Sequence, residues 1–314
     1  MEDQDVITTH CRSIFDLPVE DIVITHIAKY LTLVDIFNFR TCSRDSRDLA
    51  NKMLAGRDEV ALTQVTETCG EMAFRVIVQN CRKLKKFRLH FLTWLTDELL
   101  IEFLQNNPLL EMVEFYYCQN VTCEGLRPLV SCKNIVSLWL ALMKCDDKLL
   151  QDISLHNNNL IEVNLSSVWK VSAECLVEFF KRQPQLHVIF MPSLEDGQQV
   201  VRTIIEHCPN IRNFCIMDCE PVTDDLVLEI IQKCSNLKVL CLPWFYSTEI
   251  MSKEVKRKME KKKIYLGDPG QPYFRVGKFE YLYHPWFIHR DCWHKEQRCV
   301  NLEGVRKWRA TPWP

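Results

Sequence analysis

Sixteen cysteines and nine histidines stand in this 314-residue chain, and thiol and imidazole are the side chains best suited to hold a metal, trade disulfides or attack a carbonyl carbon. Their spacing points away from each of these uses. No two cysteines form Cys-x-x-Cys, the pair expected of a zinc ribbon, a RING or a thioredoxin-type site. No cysteine is tied to a histidine and a carboxylate in the pattern of an activated nucleophile. His284, His289, Cys292, His294 and Cys299 gather donors near the C-terminus, but at the spacing of no familiar zinc finger. There is no phosphate-cradling loop, no nucleophile elbow and no metal-ligand pair at helical spacing. These residues predict no enzyme, no cofactor and no metal, so the elements that carry them must explain the cysteines.

Composition sets the context. Apolar residues make up 47% of the chain, enough for a sizeable core, and eight glycines and 13 prolines argue against a long disordered linker. A formal charge of −2 gives no electrostatic case for nucleic acid. The start, Met1-Glu-Asp-Gln-Asp, is acidic and is not a secretory signal. Apolar runs such as Ile135 to Met143 are far shorter than the roughly 20 residues of a spanning helix. The expectation is a cytoplasmic or nuclear chain, away from membranes, with reduced thiols.

A pattern Leu-x-x-Leu-x-Leu, with other apolar residues substituting, recurs at Leu84/Phe87/Leu89, Leu110/Val113/Phe115, Ile135/Leu138/Leu140, Leu160/Val163/Leu165, Leu186/Ile189/Met191, Ile211/Phe214/Ile216 and Leu237/Leu240/Leu242. The first members step by 26, 25, 25, 26, 25 and 26 residues. The last two of each triplet are two apart and point to one face of a short strand. One strand cannot bury that face alone, whereas stacked copies share a core. Thr96-Asp-Glu, Val121-Thr-Cys-Glu, Val171-Ser-Ala-Glu and Val222-Thr-Asp-Asp read as capped helix starts after the strands. Cys81, Cys132, Cys208 and Cys234 fall three residues before a first anchor, and Cys118 and Cys219 three after a last one. A small, burial-tolerant thiol suits a tight bend there. The pattern resembles the cysteine-containing class of leucine-rich repeats. The fold class expected is α/β, a solenoid with parallel strands on the concave face and helices on the convex face.

Residues 17–50 have a different texture. Ile22, Ile27, Tyr30 and Leu31 recur at helical spacing, Asp35 opens a second helix holding Ile36 and Phe39, and a third runs from Arg44 to Leu54. The Leu17-Pro18 start, Tyr30-Leu31 followed by Asp35, and Arg40-Thr-Cys-Ser-Arg resemble an F-box, with a departure at Asp45, where that family usually places a bulky residue. An F-box before such repeats resembles the F-box and leucine-rich-repeat family. The resemblance implies a substrate-recognition subunit of a Skp–cullin–F-box type ubiquitin ligase, itself non-catalytic. It implies adaptor binding through Leu17, Pro18, Ile22, Ile27, Leu31 and Ile36, with cullin and RING protein reached through that adaptor. The alternative is a repeat scaffold without a ligase. The expected divisions are a flexible 1–14, an F-box at 15–54, an irregular capping repeat at 55–80 with Val60 and Leu62 in a strand and 72–78 in a helix, the solenoid at 81–266 ending in a strand at Ile264 and Leu266, and a tail at 267–314.

Non-anchor strand positions should face a protein substrate. The column between the last two anchors reads Arg88, Glu114, Trp139, Asn164, Phe190, Cys215, Cys241, and the next reads His90, Tyr116, Ala141, Ser166, Pro192, Met217, Pro243. Rigid aromatics are the usual binding anchors. The expected substrate residues are Arg88, Tyr116, Trp139, Asn164, Trp169, Phe190 and Trp244. Lys253 to Lys263 has the look of a nuclear or anionic-lipid signal, yet Met251, Val255 and Met259 at i, i+4 and i+8 make it the outer face of a buried helix. The aromatic tail is expected to fold back over the solenoid and gate access to it.

Overall fold

Stacking makes the short apolar strands stable, and the computed structural model shows the stack. It describes residues 13–63, 67–168, 170–191, 197–216, 221–243 and 251–266, the single residues 194, 219 and 246, and two strands at 273–276 and 279–282. The chain divides into units of residues 1–265 and 266–314.

The N-terminal part begins with a π-wound helix, Val19–Ile27, followed by α1 (Leu33–Arg40) and α2 (Arg44–Ala55). Thr32 and Asp35 form a reciprocal capping box at α1, and Ser43 caps α2. Val23, Ile36, Ala50, Met53 and Leu54 are buried between these helices. Arg57 reaches back to the Leu31 carbonyl at 3.2 and 3.3 Å. Only three residues then separate α2 from β1 (Glu59–Thr63).

From there strand and helix alternate: α3 (Glu67–Asn80), β2 (Lys86–His90), α4 (Asp97–Asn106), β3 (Met112–Tyr116), α5 (Cys123–Leu126), β4 (Ser137–Ala141), α6 (Asp147–His156), β5 (Glu162–Asn164), α7 (Ala173–Lys181), β6 (Val188–Phe190), α8 (Gln198–His207), β7 (Asn213–Cys215), α9 (Asp224–Lys233), β8 (Val239–Cys241), α10 (Lys253–Lys262) and β9 (Tyr265–Leu266). The nine strands form one sheet in chain order, and those from β1 to β8 pair in parallel. This is the α/β solenoid expected from the repeat. Every anchor of the seven triplets is buried, each contributing roughly 1.5–3 kcal/mol of transfer free energy. Phenylalanines lead this core: the Phe87 and Phe103 rings lie 3.8 Å apart, with Phe74 5.5 Å from Phe103. Met251, Val255 and Met259 are the buried stripe of α10. Ile264 is buried, whereas Leu266 is 39% exposed and is not a core anchor. In the second unit, β10 (Tyr273–Val276) and β11 (Phe279–Leu282) make an antiparallel hairpin. The expected tail contacts and the candidate donors from His284 to Cys299 lie outside the described residues.

The column three residues before each first anchor accounts for four of the cysteines. It holds Cys81, Asn107, Cys132, Asn157, Gln183, Cys208 and Cys234; Cys81 donates to a carbonyl of α2, and the next five each donate to a carbonyl of the preceding repeat. Asn107 Nδ2 gives to Cys81 O at 3.0 Å, Asn157 Nδ2 to Cys132 O at 3.1 Å, and Gln183 Nε2 to Asn157 O at 2.8 Å. The thiols act at 3.3 Å for Cys81 to Leu54 O, 3.9 Å for Cys132 to Asn107 O and 3.4 Å for Cys208 to Gln183 O. Burial pushes the Cys81 and Cys208 thiols up to about 12 and Cys132 to about 11. They therefore keep their protons, and their role as weak donors, at neutral pH.

A second tie joins the helix starts. Asp97 accepts from the Thr122 N–H and hydroxyl at 2.7 and 2.5 Å, and Asp147 accepts from Ser172 at 2.7 and 2.6 Å.

Asn107 makes three bonds inside the core, the third being acceptance from Leu84 N at 3.1 Å. Asn107→Leu should lower the unfolding free energy by roughly 2–3 kcal/mol, since it strands buried backbone groups. Asn159→Ala, at an exposed bend, should cost under about 0.5 kcal/mol. Urea titration followed by circular dichroism separates the two outcomes.

Candidate functional site

The register sets the expected substrate residues side by side. Arg88 pairs with Glu114, Glu114 with Trp139, Trp139 with Asn164, and Asn164 with Phe190. They form one row across the sheet face turned away from the anchors, and the row changes character along its length.

At the β1–β3 end it is charged and partly open. Arg88 bridges two carboxylates, Glu59 at 3.3 Å and Glu114 at 3.4 Å, and His90 Nε2 lies 2.9 Å from Glu114. Burial opposes the Glu114 charge, but the close approach of His90 (2.9 Å) and Arg88 (3.4 Å) outweighs it, so its pKa lies below the ordinary carboxylate value. Tyr116 stands beside this network with its ring 5.9 Å from His90 and 5.1 Å from Phe91, and burial pushes its phenol pKa upward.

From β4 to β6 the same row is buried. Trp139 is 7%, Asn164 7% and Phe190 5% exposed. The expected anchors Trp139 and Phe190, and Asn164 between them, thus expose little of their side chains. The Trp139 and Phe190 rings lie 5.5 Å apart across the β5 strand, which places only the small Asn164 between them. Asn164 Oδ1 is occupied by Ser166 N at 2.9 Å. One column earlier, Ser137 donates to Glu162 at 3.0 Å, and both are buried. Trp169 and Trp244 lie outside the described residues. Among the described members of the expected set, Arg88 and Tyr116 are the partly buried ones.

Spacing alone did not reveal the backbone beyond these strands. Phe91, Tyr117 and Leu142, each one residue past its strand, have φ of 59°, 50° and 58°. This left-handed conformation is costly for bulky residues. Each N–H bonds the next repeat: Phe91 N to Tyr116 O (2.9 Å), Tyr117 N to Ala141 O (3.2 Å) and Leu142 N to Ser166 O (2.9 Å). The result sets Phe91 and Tyr117 on the rim with ring centroids 6.1 Å apart.

The N-terminal helices offer a second surface. Leu17, Ile22, Ile27 and Leu31 are partly exposed and Pro18 is exposed, while Ile36 has no accessible surface. Ile36 is buried among the N-terminal helices. Three apolar residues outside the expected adaptor set also stand out: Phe15 (45%), Tyr30 (76%) and Val34 (56%). Asp45, the departure in the motif, is exposed in the first turn of α2, where the helix dipole favours a carboxylate.

Comparison with known proteins now bears on this surface. Residues 14–56 match the F-box domain family. Among solved structures, the chain is similar to the actin-binding site 2 of leiomodin-1 (10% identity, 55% of this chain and 90% of that chain, TM-score 0.32). It is also similar to a chain of the Rad7 and Elc1 complex of yeast (11%, 75% and 88%, 0.30) and to an internalin of Listeria monocytogenes (11%, 62% and 64%, 0.32). Among the described residues, no cluster of three or more His, Cys, Asp or Glu could hold a metal, and no helix is long and apolar enough to cross a membrane.

Two outcomes check this description. Trp139→Ala should cost roughly 3 kcal/mol of folding stability, as for a large core residue, which a denaturant midpoint reports. Glu114 has a folded pKa below its unfolded value, so its stabilisation is present above the unfolded carboxylate pKa and fades as pH falls through the folded one. Glu114→Gln should therefore be less stable than the parent at pH 7, with the gap closing below about pH 4.

Proposed function

We propose that this chain is the substrate receptor of a Skp–cullin–F-box type ubiquitin ligase. The observation that carries the reading is the F-box domain at residues 14–56 joined to a repeat sheet with almost no linker. In this reading Leu17, Pro18, Ile22, Ile27 and Leu31 contact a Skp-type adaptor, together with the exposed Phe15, Tyr30 and Val34. Cullin and RING protein follow through the adaptor, and the chain performs no bond-making step itself.

Its contribution is position. The Cys81 thiol bonds the Leu54 carbonyl in α2, and Arg57 bonds the Leu31 carbonyl, so the adaptor-binding helices and the first repeat are tied by short contacts. A partner on the sheet is then presented at a set angle, which raises its effective concentration at the transfer site. The open substrate surface is the β2–β3 end: Arg88, His90, Glu114 and Tyr116, with Phe91 and Tyr117 on the rim. A mixed-sign network beside aromatic rings suits a protein segment carrying both charged and apolar groups.

The full chain should co-purify with a Skp-type adaptor. Leu17→Ala with Pro18→Ala should abolish that association while the circular dichroism melt of the repeats stays unchanged. A parent chain that brings down no adaptor would favour the scaffold without a ligase.

A further inference from the structure

The helix-to-strand bends carry a charge pattern that neither the fold nor the adaptor surface uses. The residue after each first anchor is aligned from repeat to repeat by backbone hydrogen bonds. His187 N donates to Ile161 O (2.7 Å), Arg212 N to His187 O (2.8 Å), Lys238 N to Arg212 O (2.7 Å) and Tyr265 N to Lys238 O (2.8 Å). His187, Arg212 and Lys238 thus occupy one line at the strand pitch of about 4.8 Å, and Lys263 stands two residues before Tyr265 at its end.

In the first repeats the same line is balanced, since Lys85 pairs with Glu111 at 2.8 Å. In the last repeats no ion pair among the described residues balances it. No Asp or Glu occurs at 182–187, 208–212 or 234–239. Arg212, Lys238, Lys261 and Lys263 are exposed, and no carboxylate among the described residues forms an ion pair with them. The neighbouring Arg212 charge adds to burial in lowering the His187 pKa, so the basic groups act on one another. The line runs into α10, and residues 253–263 hold seven basic and two acidic side chains in a chain of net charge −2. Like charges on adjacent strands destabilise a sheet. A terminal repeat needs a polar outer face, but not an uncompensated one.

We propose that this edge, Arg212, Lys238, Lys261 and Lys263 with His187 at its start, is a docking strip for an acidic protein segment. Charge complementarity identifies the occupant: Arg212 and Lys238 stand one strand pitch apart, with the exposed Lys261 and Lys263 just before Tyr265 at the end of the line, and such separate cations fit successive Asp and Glu carboxylates. Most of these cations are lysines, which act as point charges and lack the bidentate fork that arginine offers a phosphate. The strip stands apart from the adaptor surface and does not depend on the ligase reading.

The test uses the full chain and a fluorescent decaglutamate peptide, with binding read by anisotropy at low and physiological salt. The peptide should bind, weaken as salt rises, and weaken roughly tenfold or more with Arg212→Glu plus Lys238→Glu. Arg212→Gln plus Lys238→Gln should give a smaller loss in the same direction, and it serves if charge reversal impairs folding. Lys85→Glu, on the same line in an early repeat, should leave binding within about twofold, as expected for a rim charge away from the contact. Absence of binding, or equal binding by the parent and both double variants, overturns the proposal. Tighter binding of oligouridylate than of decaglutamate overturns it in favour of a nucleic acid.

Discussion

At every helix-to-strand bend of a solenoid, a buried backbone carbonyl is left without a partner. Water cannot reach it, and an unmet buried acceptor costs on the order of 1–3 kcal/mol. This chain meets that constraint with one side chain at each of six successive bends. Cys81 reaches back to α2, and Asn107, Cys132, Asn157, Gln183 and Cys208 each reach back to the repeat before. Asparagine and glutamine bond at ordinary distances. Cysteine makes a longer, weaker bond but fills the bend. The strand register depends on these ties, and the register in turn places every residue on the open face.

The same device extends into the F-box. Cys81 reaches Leu54 of α2, where the later members reach another repeat. The N-terminal helices would bury little alone, and here they continue the stack. The ligase reading draws its force from this continuity, because a receptor must hold its adaptor and its partner in one frame. The open face is divided as well: ion pairs and a partly open tyrosine lie at the β1–β3 end, and a closed Trp139–Phe190 contact lies farther along.

Much of this was legible from spacing. Leu84 through Leu242 recur at 25 or 26 residues and all are buried, because one strand face must meet the core at each step. The stripe of Met251, Val255 and Met259 turned a basic run into a helix for the same reason. The donor column was half seen. Its cysteines stood out as a residue type, whereas Asn107, Asn157 and Gln183 share their place only by register. What spacing could not show was whether two rings in that register would meet. Trp139 and Phe190 belong to one row, but their burial depends on a small residue on the strand between them. The buried Ile36 shows a related limit, since a helical pattern marks an apolar residue without saying whether its own domain or a partner covers it.

Hydrogen–deuterium exchange of the full chain, with and without a purified Skp-type adaptor, tests the central claim most directly. The account predicts added protection confined to residues 14–56, with the strands from β2 to β8 unchanged. Added protection within those strands and none in 14–56, or no change anywhere at saturating adaptor, would contradict it.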